Sequence, residues 1–108
     1  MIMRALVRSA ALGVAMFAAC GDAREPRTHH VEIRGMEYVP AELAVAVGDT
    51  VVWTNADVVP HTVTAAGELD SQSIETKRTW QAVMKRPGEV SYVCTYHPTM
   101  KGTITVRQ

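Results

Sequence analysis

Between two strand-like runs, Val90 to Val93 and Thr103 to Val106, the chain places Cys94, His97 and Met100 at three-residue intervals. The three span seven residues between those runs, so they lie on a tight turn joining neighbouring strands. A thiol, an imidazole and a thioether therefore leave one turn from one side, at the end of a sheet. The segment from Gly88 to Thr103, G-E-V-S-Y-V-C-T-Y-H-P-T-M-K-G-T, is the part of the chain that the rest must support.

The rest alternates in the same way. Val31 and Ile33 alternate with Glu32 and Arg34, and Leu43, Val45 and Val47 with Glu42, Ala44 and Ala46. Gly48-Asp49 marks a turn, after which Val51 and Trp53 share a face. Thr62-Val63-Thr64 follows His61, and residues 66 to 73 read as a polar connection. Trp80, Ala82 and Met84 share the next face, Arg86-Pro87-Gly88-Glu89 turns the chain, and Ile104 and Val106 close the set. Short period-two runs divided by turn signals predict an all-β sandwich or barrel. With 47% hydrophobic residues in 108, this is one small domain with a modest core.

The N-terminus reads as a targeting segment. Arg4 and Arg8 precede an apolar run, Ala10 to Ala19, that is too short to span a bilayer. The run ends in Phe17-Ala18-Ala19-Cys20-Gly21, which resembles a bacterial lipobox with Cys20 as the acylated residue; an ordinary secretory cleavage nearby is the alternative. The expected organisation is a lipoprotein signal peptide over 1–19, a flexible tether over 20–28 and a folded domain over 29–108. Cleavage before Cys20 would leave 89 residues, nine basic and eleven acidic. No block of like charge suggests nucleic acid, and phosphate loops, paired-carboxylate motifs and nucleophile elbows are absent from the sequence.

Two cysteines in an exported chain suggest a disulfide. Cys20 lies at the signal boundary before a loose tether, so it is a poor partner for Cys94. A lone thiol in an oxidising compartment needs protection, which a bound metal supplies. His61, between Pro60 and a β-branched run, is the further imidazole; His29 and His30 compete with it but sit beside the tether. Two His, one Cys and a weak Met form the donor list of a blue-copper site. Zinc would accept the first three donors, and the soft thioether favours copper. Four protein donors leave no open position for substrate, which favours electron transfer over catalysis. A Cys94–His97 nucleophile would leave His61 and Met100 idle, so an enzyme is not expected.

The pieces M-E-Y-V-P-A-E-L, V-G-D-T-V-V-W-T-N, V-P-H-T-V and C-T-Y-H-P-T-M-K-G-T-I-T-V together resemble the cupredoxins, the amicyanin branch most closely. That resemblance covers about seventy residues, Met36 to Val106. It implies a Greek-key β-sandwich holding one Cu(I)/Cu(II) ion at one end, with His61, Cys94 and His97 as strong ligands and Met100 as the weak axial one. It also implies that Asn55 ties the two ligand-bearing loops together near Thr95. Tyr96 stands where the branch has proline, and the amide this restores is expected to reach the Cys94 sulfur and raise the potential. The implied activity is one-electron transfer by a periplasmic monomer, held to a membrane only by lipidated Cys20. Its partners would be a dehydrogenase, cytochrome or oxidase docking transiently at an apolar rim of Val58, Val59, Pro60, Tyr96 and Pro98 around His97. Copper trafficking or resistance is the competing function.

Overall fold

Nine strands form in residues 24–108, which with Gly13 are the residues the computed structural model describes. Cys20, residues 21–23 and the expected signal segment apart from Gly13 lie outside the described residues. The strands are β1 (Thr28–Arg34), β2 (Glu37–Val39), β3 (Glu42–Ala46), β4 (Thr50–Asn55), β5 (Thr64–Ala65), β6 (Leu69–Asp70), β7 (Thr79–Val83), β8 (Gly88–Val93) and β9 (Lys101–Arg107). They make a four-stranded sheet in the order β2-β1-β4-β7 and a five-stranded sheet in the order β3-β9-β8-β5-β6. Two pairs, β1 with β4 and β3 with β9, are parallel because the chain crosses between sheets before returning.

The period-two reading places the core correctly on the long strands. Val31, Ile33, Val51 and Trp53 face inward from one sheet, and Val90, Tyr92, Ile104 and Val106 from the other; all are buried. Each fully buried aliphatic side chain of this kind contributes roughly 1.5–3 kcal/mol relative to exposure. At the centre Tyr92 meets Tyr38 edge-on at 4.7 Å between ring centroids and Trp53 at 5.6 Å. The expectation fails at two places. Val47 is 39% exposed because β3 ends at Ala46, and Ala46 turns inward instead. The supposed polar connection carries the β5–β6 hairpin, with Leu69 buried in the core.

Strand direction divides the molecule into two ends. β4 and β1 run toward one end, where the β1–β2, β4–β5, β6–β7 and β8–β9 connections gather. The β3–β4 and β7–β8 turns lie at the other end, where the chain enters β1. Asp49 is buried there and collects five hydrogen bonds: two from Arg24 (2.9 and 2.8 Å), and one each from the Arg27 amide (2.9 Å), His29 Nε2 (2.8 Å) and the Ala46 amide (3.0 Å). The strand thus opens at Thr28, one residue before the expected domain start, and two tether residues are bound to the sandwich.

The Arg27 amide foremost, then Arg24, His29 and Ala46, outweigh the effect of burial and hold the Asp49 carboxyl far below its ordinary 3.8. A depressed carboxyl stabilises the fold above its unfolded-state pKa and loses that contribution as pH falls toward its folded value. Asp49→Asn should therefore lower the melting temperature of the metal-free domain by a constant amount at neutral pH. The gap to the parent should narrow once pH drops below about 3.8. Melting curves across that range check both parts.

Candidate metal centre

Two connections at one end carry the chemistry. The β8–β9 turn is closed by its own backbone: the His97 amide donates to the Cys94 carbonyl (3.2 Å), the Met100 amide to the His97 carbonyl (2.8 Å), and the Cys94 amide to the Met100 carbonyl (3.2 Å). Pro98 has no amide to donate, which suits its exposed place at the tip. Cys94 and Met100 are buried, at 0% and 4% exposure, and His97 is half-buried. From the β4–β5 connection comes His61, wholly buried, its backbone bridged to Ile74.

The Cys94 sulfur lies 3.7 Å from Nδ1 of His61 and 3.7 Å from Nδ1 of His97. One donor atom from each of the three residues falls within 4.8 Å of the others. With bonds near 2.05 Å to nitrogen and 2.3 Å to sulfur, a 3.7 Å separation corresponds to about 115° at a shared ion. That is close to the trigonal His2Cys arrangement of type 1 copper. The donors fit the ion, and the buried Met100 thioether on the same turn completes the set. His29 is at the far end on Asp49, and His30 is exposed on β1, so neither competing imidazole takes part.

The carboxylate that aims His61 is Asp57, which the sequence reading missed. Asp57 Oδ2 lies 2.8 Å from His61 Nε2. It accepts the Nε2 proton, which leaves the Nδ1 lone pair facing the sulfur. The β1–β2 turn holds the carboxylate in turn, through the Gly35 amide to Oδ1 (2.7 Å) and the Met36 amide to Oδ2 (3.0 Å). Burial opposes the Asp57 charge, but the Met36 amide, His61 and the Gly35 amide prevail and keep its pKa below the ordinary carboxylate value.

Thr62 joins the two ligand-bearing segments. Its amide donates to the Cys94 sulfur (3.3 Å), and its hydroxyl oxygen accepts the Thr95 amide (2.9 Å) and meets the Thr95 hydroxyl (3.2 Å). Its carbonyl accepts the Tyr38 hydroxyl. This revises two expectations. Asn55 does not tie the loops near Thr95: its amide nitrogen is committed to the Val59 and Ile74 carbonyls, both at 2.9 Å, and its oxygen to the Asp57 amide. It shapes the loop that carries Asp57 and His61. The Tyr96 amide makes no hydrogen bond to the sulfur; the amide bonded to the sulfur comes from Thr62, on the other ligand-bearing segment.

Thr62→Val should leave the Thr95 amide without its acceptor, costing about 1–3 kcal/mol. A melting temperature lower by at least about 4 °C, restored by Thr62→Ser, is the expected outcome. An unchanged value in the valine variant would mean that solvent replaces the hydroxyl without loss.

The loops at the end of the sandwich that carries His61 and His97 expose several apolar side chains. Val58 is 92% exposed, Tyr96 51%, Met36 40% and Val59 37%, with Pro60 and Pro98 also exposed.

Fold, turn and donor set define a small mononuclear copper protein. The chain belongs to the cupredoxin-like domain family, whose profile matches residues 8–106. It is 29% identical over 110 residues to amicyanin-alpha of Methylorubrum extorquens, covering 96% of this chain and 92% of that protein. It is 35% identical over 82 residues to amicyanin of Paracoccus denitrificans, covering 70% of this chain and 63% of the relative. Solved structures agree. An amicyanin variant in its Cu(I) form shares 31% identity at a TM-score of 0.71 and covers 81% of this chain and 88% of that one. An oxidised amicyanin variant shares 33% identity at a TM-score of 0.70, covering 73% of this chain and 81% of that one.

Proposed function

We propose that this protein is an exported one-electron carrier that holds one copper ion on His61, Cys94, His97 and, weakly, Met100. The observation that carries the reading is the convergence of two imidazole nitrogens on one fully buried thiol, each at 3.7 Å. The ion, when bound, supplies a reversible Cu(II)/Cu(I) couple. The chain does the rest. Asp57 orients His61, Thr62 donates to the sulfur, and the three backbone bonds of the β8–β9 turn keep Cys94, His97 and Met100 in fixed relation. Donors held this rigidly rearrange little between oxidation states, so the barrier to each transfer stays low.

Burial of Cys94 and His61 excludes water, and a closed set of four donors offers no substrate position; the protein is a carrier and not an enzyme. Partners are redox proteins that dock briefly on the apolar rim of Val58, Val59, Pro60, Tyr96 and Pro98, with His97 as the electron port; small patches suit weak encounters. Tyr96 and Thr95 shape the turn behind that port. Export to the periplasm, with Cys20 as a lipid anchor, is supported by the charged start, apolar run and F-A-A-C-G of the sequence.

The test is electron self-exchange in a mixture of Cu(I) and Cu(II) protein, followed by NMR line broadening, together with the reduction potential. Fast exchange at a potential between those of plausible donors and acceptors is expected. Tight Cu(I) retention with slow oxidation would instead assign the site to copper trafficking.

A further inference from the structure

Four aromatic rings cross the core in contact. Trp80, half-buried on edge strand β7, lies 5.4 Å from Trp53 between centroids; Trp53 lies 5.6 Å from Tyr92, and Tyr92 4.7 Å from Tyr38. At one end, Tyr92 on β8 is two residues before Cys94, which follows the end of that strand, and the Tyr38 hydroxyl reaches the Thr62 carbonyl. At the other end, Trp80 lines an open cleft of about 420 Å³ with Leu69, Met84, Lys85 and Arg86. A readily oxidised surface ring is thus joined through the core to the thiol side of the metal centre.

We propose that Trp80 and Trp53 form a relay that carries a one-electron oxidation from the cleft to the Cys94 side, so that the reduced protein quenches small oxidising radicals. The inference rests on the copper reading above. A diffusing radical takes one electron from the Trp80 indole, Trp53 returns one to Trp80, and the reduced centre returns one to Trp53. The radical is reduced by one electron, Cu(I) becomes Cu(II), and both indoles are restored. No bond forms or breaks.

Proton bookkeeping favours the indoles as the stations. The Trp53 N–H donates to the Tyr92 hydroxyl (3.2 Å), which is no base, so the Trp53 radical cation keeps its proton and its full oxidising strength. The phenols have no base either. Tyr38 donates to a backbone carbonyl, and the Tyr92 hydroxyl faces the Trp53 N–H, itself a donor. A hole on either ring could not shed its proton, so Tyr92 bridges Trp53 to Cys94 without being oxidised.

The experiment is pulse radiolysis with azide radical, which oxidises exposed indole, on copper-loaded reduced protein and on the zinc-loaded form. In the Cu(I) protein the indole-radical absorption should decay at a rate independent of protein concentration, with matching growth of the Cu(II)–thiolate band. In the zinc form the radical should persist. Trp80→Phe should lose the initial radical, and Trp53→Phe should keep it but lose the fast decay. Equal decay in the Cu(I) and zinc forms overturns the relay whatever the variants do, and so does an unslowed decay in Trp53→Phe. If the unirradiated Cu(II) protein has no thiolate band, the copper reading itself has failed; a normal band with an unquenched indole radical defeats the relay alone.

Discussion

Gly102→Ala should cost about 3 kcal/mol, the upper end of the range for overpacking a core. A methyl built on Gly102 would lie 2.2, 2.4 and 2.7 Å from Cζ, Oη and Cε1 of Tyr92, its cross-strand partner. A clash with a flexible side chain would be cheap to relieve, but this ring is fixed. Tyr38 meets it edge-on, Trp53 packs across it, and the Trp53 N–H is bonded to its hydroxyl. The backbone must move instead, and it moves where it matters: Tyr92 stands two residues before Cys94, and Gly102 two after Met100. For a domain of this size the loss corresponds to roughly 12–24 °C in melting temperature. Relief by a second change, Tyr92→Leu, would identify the ring as the cause. A Gly102→Ala protein that melts with the parent would show that the strands can part without cost.

The second large effect concerns metal affinity. Asp57→Asn keeps the shape of the side chain but cannot satisfy its three neighbours. His61 Nε2, the Gly35 amide and the Met36 amide all present protons to the carboxylate. The neutral amide has one acceptor oxygen, so its NH2 must face a donor. If it faces the ring, it drives the proton to Nδ1 and removes the lone pair that points at the sulfur. Loss of such an outer partner lowers metal affinity by roughly 10–100-fold, or about 1.4–2.8 kcal/mol. Competition with a chelator of known affinity measures it. Unchanged affinity would restrict Asp57 to shaping the loop between β4 and β5.

What could be read from the sequence was whatever depends on neighbours in the chain. Alternation along β1, β4, β8 and β9 is legible because a strand shows its faces every second residue. Cys94, His97 and Met100 are legible because one turn holds them, and His61 because Pro60 and a β-branched run flank it. Two-residue strands have no period to read, so Leu69 stayed hidden among polar residues. Asp57, Thr62 and Asp49 were missed for another reason. Each is a small polar residue in a loop or turn, ordinary in its local setting, and each acts on a group more than twenty residues away or on one brought near by the fold. The closest approach to a signal is Thr62, whose place beside His61 puts its amide near whatever binds there. Asn55 shows the opposite error. Its proximity to the site was legible, but its partners are set by a loop whose path only the fold reveals.

The whole account depends on one ion being held by a thiolate and two imidazoles brought from both loops. Titrating Cu(II) into the mature protein and recording the visible spectrum tests this most directly. A single equivalent should produce an intense sulfur-to-copper charge-transfer band that is lost in Cys94→Ser and in His61→Ala. A pale solution at full copper loading, or a strong band that survives the His61 change, would contradict it.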